Sequence, residues 1–399
     1  MKIRNLIMAA LVLAGANAFA QNQITGQDLN SPNVITTAVP FVSIAPDARG
    51  GSMGDCGVAT DADVYSMHYN PAKYVYMEDD MSVGLGYSPW LQHLVSDMHL
   101  AYLAFQKKVN DRSAIGATLR YFDCGSIHFT DANGEDMGTY EPNEWALDAS
   151  YSRMLGDYLS GAVSGRFIYS NLTQGQGDYA QAGWSVAADV AVYYKKPVEW
   201  FSNMDADFSW GASITNIGSK VSYNGSSDMK DFIPTTLRGG AQLKMHLDEY
   251  NSLAITADLS KLLVPTPPIR EGNTFNGEVV HGYDDNVSVV MGMIQSFYDA
   301  PGWDREGHHF GVAYEELCEI NEGIGIEYWY NNTFAVRGGY FNESAMKGNR
   351  KYVTLGAALK YNVFSLDVSY LVPVAARAGS SPLENTLRFN LTYNMGKRK

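Results

Sequence analysis

The chain has 399 residues, 26 of them tyrosine and 38 glycine, and a formal net charge of −14. That acidity makes it a poor partner for polyanions and argues against nucleic acid. Its three cysteines, Cys56, Cys124 and Cys318, lie far apart in an odd count, which excludes a disulfide framework and offers no zinc-ligand spacing.

The first element is an export signal over residues 1–20. Lys2 and Arg4 form a basic start, Leu6 to Ala20 is apolar, and Ala18-Phe19-Ala20 has the small-x-small form of a cleavage site. Gln21 rather than a cysteine follows, which argues against a lipoprotein. No later stretch approaches the ~18–20 continuous apolar residues that a spanning helix needs. An exported chain with many tyrosines and glycines but no such helix suggests an outer-membrane barrel.

Residues 21–80 come next. From Ala48 to Tyr74 the chain shows neither helical nor strand period, and it holds the triplet Asn70-Pro71-Ala72. Pro71 restrains Asn70 to extended geometry.

From about residue 81 onward apolar and polar residues alternate. In the stretch from Leu159, Leu159, Val163, Phe167 and Tyr169 oppose Ser160, Ser164 and Arg166. In the stretch from Trp184, Trp184, Val186, Ala188 and Val190 oppose Ser185 and Asp189. The runs often reach about 9–12 residues, the length of a tilted strand crossing a bilayer and roughly twice that of an ordinary strand. About fourteen strands are expected, starting near Met81, Met98, Ser113, Glu144, Tyr158, Gly183, Ala206, Pro234, Asn251, Asn321, Thr333, Arg350, Val363 and Asn385. Their connections alternate between tight and long, which gathers the long loops on one side. One connection, Lys196 to Asp205, looks long where a tight turn is due. The fold class expected is therefore all-β: a transmembrane antiparallel barrel with extracellular long loops and, from the even strand number, both termini periplasmic.

The longest loop, 262–320, is expected to carry a helix. Val287, Val290, Met291, Ile294, Phe297 and Tyr298 follow helical spacing, Asp285 or Asn286 can cap the start, and Pro301-Gly302 stops it. Such a helix either packs over the barrel mouth or, with its methionine-rich face, docks a partner.

The Asn-Pro-Ala triplet behind a small-residue run, ahead of such a barrel, resembles the FadL family of outer-membrane proteins. The resemblance is closest to its PorV branch (also called LptO) of the Bacteroidota type IX secretion system. The stretches that carry it are 39–74, "SFYDAPGW" at 296–303, "IEYWYNNTFAVRGGYF" at 326–341, 348–373 and "LENTLRFNL" at 383–391. The resemblance implies that residues 21–80 fold into the lumen as a plug, with the barrel proper over 81–399. It also implies a carrier that takes cargo with a C-terminal signal domain from the translocon (Sov or SprA). The carrier then passes that cargo to an attachment complex of PorU, PorQ and PorZ.

Contacts would come from the loop side, where Trp90, Leu91, Phe297, Tyr298, Trp303, Val374 and Leu383 are the apolar candidates. The alternative is a FadL-like channel for uptake of hydrophobic small molecules, using an apolar lumen and a side opening. No cofactor or metal is implied, and no enzyme is expected. His308-His309 has no evident third ligand, and 131–136 lacks the distal glutamate of a calcium loop.

Overall fold

The computed structural model describes residues 32–397 apart from 92–96, 131–135, 173–180, 201–203, 224–229, 272–276, 303, 306–307, 310 and 375–385. Fourteen antiparallel strands close into one barrel in chain order. They are β1 (Asp79–Pro89), β2 (His99–Asn110), β3 (Ser113–Asp123), β4 (Asn143–Met154), β5 (Leu159–Asn171), β6 (Gly183–Trp200) and β7 (Met204–Gly218). The circuit continues with β8 (Thr236–His246), β9 (Asn251–Leu262), β10 (Asn321–Tyr330), β11 (Phe334–Asn342), β12 (Lys351–Tyr361), β13 (Phe364–Pro373) and β14 (Leu387–Lys397). The seam pairs β1 with β14, from Asp79 opposite Lys397 to Tyr87 opposite Phe389. Each expected strand start lies within two residues of the observed one.

Alternation places the side chains as a lipid-embedded wall requires. In β5, Ser160, Ser164, Arg166 and Ser170 point inward and are buried. Val163 and Phe167 point outward and are exposed. An outward apolar row is costly against water and matched against hydrocarbon.

The two rims differ. At one rim the connections are short, and Asn331, Asn332 and Asn362 take positive φ there, the left-handed geometry of tight hairpins. All the long loops leave from the other. The connection between β6 and β7 departs from expectation. Both strands run past their neighbours and stay paired out to Trp200 opposite Met204, so the turn is short and the hairpin itself is long. The polar Lys195–Glu199 stretch does not end the strand, because backbone pairing with β7 continues regardless of side chain.

The segment ahead of β1 fills the lumen. It is held in short helical turns: Pro40–Ser43, α1 (Ala48–Gly51), Ser66–His68 and Pro71–Tyr76. Its path runs the length of the barrel. The C-terminal strand ends at the turn rim, and β1 begins there. Upstream of β1, however, the chain winds through the barrel to the loop rim. There Ala38 N donates to Phe232 O at 2.9 Å and Asn33 Nδ2 to Pro267 O at 3.0 Å.

Candidate functional site

The lumen is a polar tube, so a chain threaded through it must find partners for its backbone. The inward side chains supply them. Ser152 and Ser160 donate to Pro71 O and Ala72 O, each at 2.7 Å, and Ser209 to Ala59 O at 2.7 Å. Ser213 donates to Tyr69 O at 2.8 Å. Asp258 accepts from Gly57 N at 2.6 Å and Val58 N at 2.9 Å. Thr354 accepts from Gly54 N, and Arg120 donates to the carbonyls of Phe41, Val42 and Ile44.

Asn70 is the junction of this packing. Its side chain caps the Pro71–Tyr76 turn by accepting from Ala72 N at 3.0 Å, and it donates to Val58 O at 3.0 Å and to Val192 O at 2.9 Å on the wall. Pro71 sits at the first position of that turn, where a missing N–H costs nothing. Close approach matters at Gly54 and Gly339. A Cβ on Gly339 would stand 2.2 Å from Gly54 N, and Gly54 itself has φ +66°.

Two ion clusters pin the plug. Arg49 grips Glu327 through Nε at 3.0 Å and Nη2 at 2.8 Å, and Arg337 reaches the same carboxylate at 2.6 Å. Asp61 takes Lys195 at 2.6 Å and Lys244 at 2.8 Å. Toward the loop rim an apolar cluster of Val39, Phe41, Leu100, Phe122 and Ile168 seals the plug against the wall.

On the loop side of the plug lies a cavity of about 780 Å³. Trp90, Leu91, Met98 and Phe122 line its apolar part. His68 and Asp55 of the plug line it from within, with Arg238, Asp258 and Arg388 on the wall. A separate apolar groove of about 570 Å³ lies on the barrel wall around Gly161, Val163, Val190 and Ile214. The two share no lining residue.

Above the rim, residues 263–320 carry α2 (Val289–Gln295) and α3 (Gly311–Cys318). Lys261, at the end of β9, holds Glu319 and, at 3.0 Å, Glu316. Lys347 holds Glu315 at 2.7 Å and Glu319 at 2.9 Å. Asp299 sits buried beside Glu316 and Glu319, and burial with those neighbours pushes its carboxyl up to about 7.

Helix α2 is shorter than its periodicity suggested, and its N-cap is Ser288 rather than Asp285 or Asn286. The Ser288 hydroxyl accepts from Met291 N, and the helix ends before Phe297. The face it packs is the one with Gly292 and Gln295, against Phe232 and Pro265. Its apolar stripe faces away: Val290 is 65%, Ile294 55% and Phe297 52% exposed.

The apolar loop candidates do not form one site. Trp90 and Leu91 turn inward to the cavity mouth and are half-buried. Phe297 and Tyr298 belong to the α2 face, where Tyr298 meets Tyr283 edge-on at 5.5 Å. Val374 is exposed at the end of β13, and Trp303 and Leu383 lie outside the described residues. Sequence reading missed Arg238 and Arg388. Their signal was an arginine at inward parity in β8 and in β14.

A family model described as type IX secretion system protein PorV matches residues 27–269. Among curated proteins no relative matches the chain. Three solved structures are similar in chain course. One is the Ralstonia pickettii toluene transporter TbuX, 12% identical, covering 89% of this chain and 98% of that one, with a TM-score of 0.46. Another is the Pseudomonas putida toluene transporter TodX, 10% identical, covering 88% and 98%, with a TM-score of 0.48. The third is a Pseudomonas aeruginosa FadL homologue, 10% identical, covering 91% and 100%, with a TM-score of 0.42.

Proposed function

The chain belongs to the PorV family of type IX secretion system proteins and is an outer-membrane barrel of that system, and from that premise we propose that it is a carrier. It binds the C-terminal signal domain of secreted cargo at the translocon (Sov or SprA) and delivers that cargo to the PorU, PorQ and PorZ attachment complex. Its long loops face outward from the cell, and it performs no chemistry of its own.

The observation that carries this reading is the α2 stripe. Val290, Ile294 and Phe297 are turned to solvent although the helix has a packed opposite face. An apolar stripe left outward on an anchored helix suits a protein partner. The plug supports it from the other side: its carbonyls and amides are tied to many strands of the wall, so function at the rim is favoured over conduction through the bore. An uptake channel would want a continuous apolar passage from loops to wall. Here the lumenal cavity is mixed in polarity and separate from the wall groove.

Deletion of the gene in its host tests the carrier. Cargo trapped in the periplasm with uncleaved C-terminal signals is the expected result. Normal secretion together with poor growth on a hydrophobic nutrient would overturn it in favour of uptake.

A further inference from the structure

Residues that line the cavity on the loop side of the plug carry buried polar atoms that the protein leaves without hydrogen-bond partners. Arg388 is 3% exposed, donates through Nε to Ala45 O, and still has a buried Nη1 with no acceptor among the described residues. Arg238 lies over the Tyr69 ring at 5.5 Å, and its buried Nε also has none. His68, 5% exposed, has a free Nε2. Two carboxylate oxygens are equally bare: Asp258 Oδ1, whose other oxygen is taken by the plug, and Asp55 Oδ1, which stands 4.0 Å from Arg388 Nη2.

Unmatched buried donors and acceptors on residues around one cavity are costly, and a bound ligand toward which they turn recovers that cost. The pattern selects the ligand. Two guanidinium donors ask for an anionic oxygen pair. Two bare carboxylate oxygens ask for N–H donors. A fatty acid or inorganic phosphate answers the first demand and not the second. An extended peptide end answers both, with its terminal carboxylate and the amides preceding it, and the apolar part around Trp90, Met98 and Phe122 takes its side chains.

We propose that this cavity receives the carboxylate end of an extended peptide entering from the long-loop side. Arg388 and Arg238 hold the carboxylate, and Asp258 and Asp55 accept the N–H groups behind it. The proposal rests on the carrier reading only for the source of the peptide.

Full-length protein in detergent is titrated with an N-terminally labelled octapeptide of alternating valine and glycine. The peptide is used as the free acid and as the C-terminal amide, with laurate as competitor. The free acid should bind at least about tenfold tighter, the scale of one charge-assisted hydrogen bond. Arg238→Gln, which loses no protein hydrogen bond, should reduce the acid to the affinity of the amide, and Arg388→Lys should fall between. Equal affinity of acid and amide, no binding of either, indifference to both variants, or displacement by laurate at equimolar concentration would each overturn the proposal. Cargo trapping in the deletion strain is a separate readout, so the carrier can stand where this site fails.

Discussion

Replacing Glu327 by Gln should loosen the plug without opening the barrel. Glu327 is 2% exposed and takes two hydrogen bonds from Arg49 and one from Arg337. Removing its charge leaves two guanidiniums competing for what remains. Breaking a buried pair costs about 3–5 kcal/mol. Arg49 keeps Asp63, but that carboxylate is 26% exposed, and such a pair is worth only about 0–1 kcal/mol. Arg337 keeps Asp367 at 2.6 Å and stays on the wall. The loss therefore falls on the plug, at about 3 kcal/mol, which is roughly a hundredfold in an opening equilibrium.

Amide hydrogen exchange reads this directly, because Gly54, Gly57 and Val58 are protected only by wall side chains, Thr354 and Asp258. Those amides should exchange about a hundredfold faster in Glu327→Gln, while amides of the β4–β5 pair keep their rate. Plug amides within about threefold of the parent, or wall amides accelerating equally, would refute the view that this cluster pins a separately moving plug.

Asn70→Ala removes a cap and two bonds to carbonyls; it should cost about 2–4 kcal/mol and lower the temperature at which the barrel loses its heat-modifiable gel mobility. Gly339→Ala puts a methyl group against the Gly54 backbone and should impair plug seating more than Gly338→Ala, whose Cβ meets nothing nearer than 3.9 Å; limited proteolysis of residues 45–65 distinguishes them. Asp299 has a folded value of about 7 against an ordinary 3.8. The folded loop therefore holds a proton that the unfolded loop releases, and this stabilisation is full below about pH 4 and lost as pH rises through 7. Protease resistance of 263–320 should fall between pH 5 and 8, and Asp299→Asn should flatten that dependence. Ile294→Asp with Phe297→Asp should leave barrel stability unchanged, since both side chains are exposed, and should abolish co-purification of secreted cargo.

The barrel was legible because its signal is local and repeated. In β5 and β6 every second residue answers to lipid, and the tight Asn331-Asn332 turn needs left-handed geometry that asparagine tolerates. The plug was legible as a unit because its small residues follow no period. Its route was not, because direction through the lumen is set by contacts more than a hundred residues apart, such as Arg49 with Glu327. The same limit hid the cavity. Arg238 and Arg388 lie 150 positions apart in the chain and come to line one cavity only when the wall closes. Helix α2 was half legible: its stripe was visible in the spacing, but which face packs depended on Phe232 and Pro265 from other segments.

The route of the plug bears on how the molecule is put together. Before its first strand begins, the polypeptide has already passed from one mouth of the cylinder to the other, bonding on its way to β4, β7, β9, β12 and β14. A filler fastened to so many staves is poorly suited to arrive after the hoop is shut. Met81–Tyr87 meets Phe389–Met395 at the seam, and a wall that closes along that line closes around its occupant.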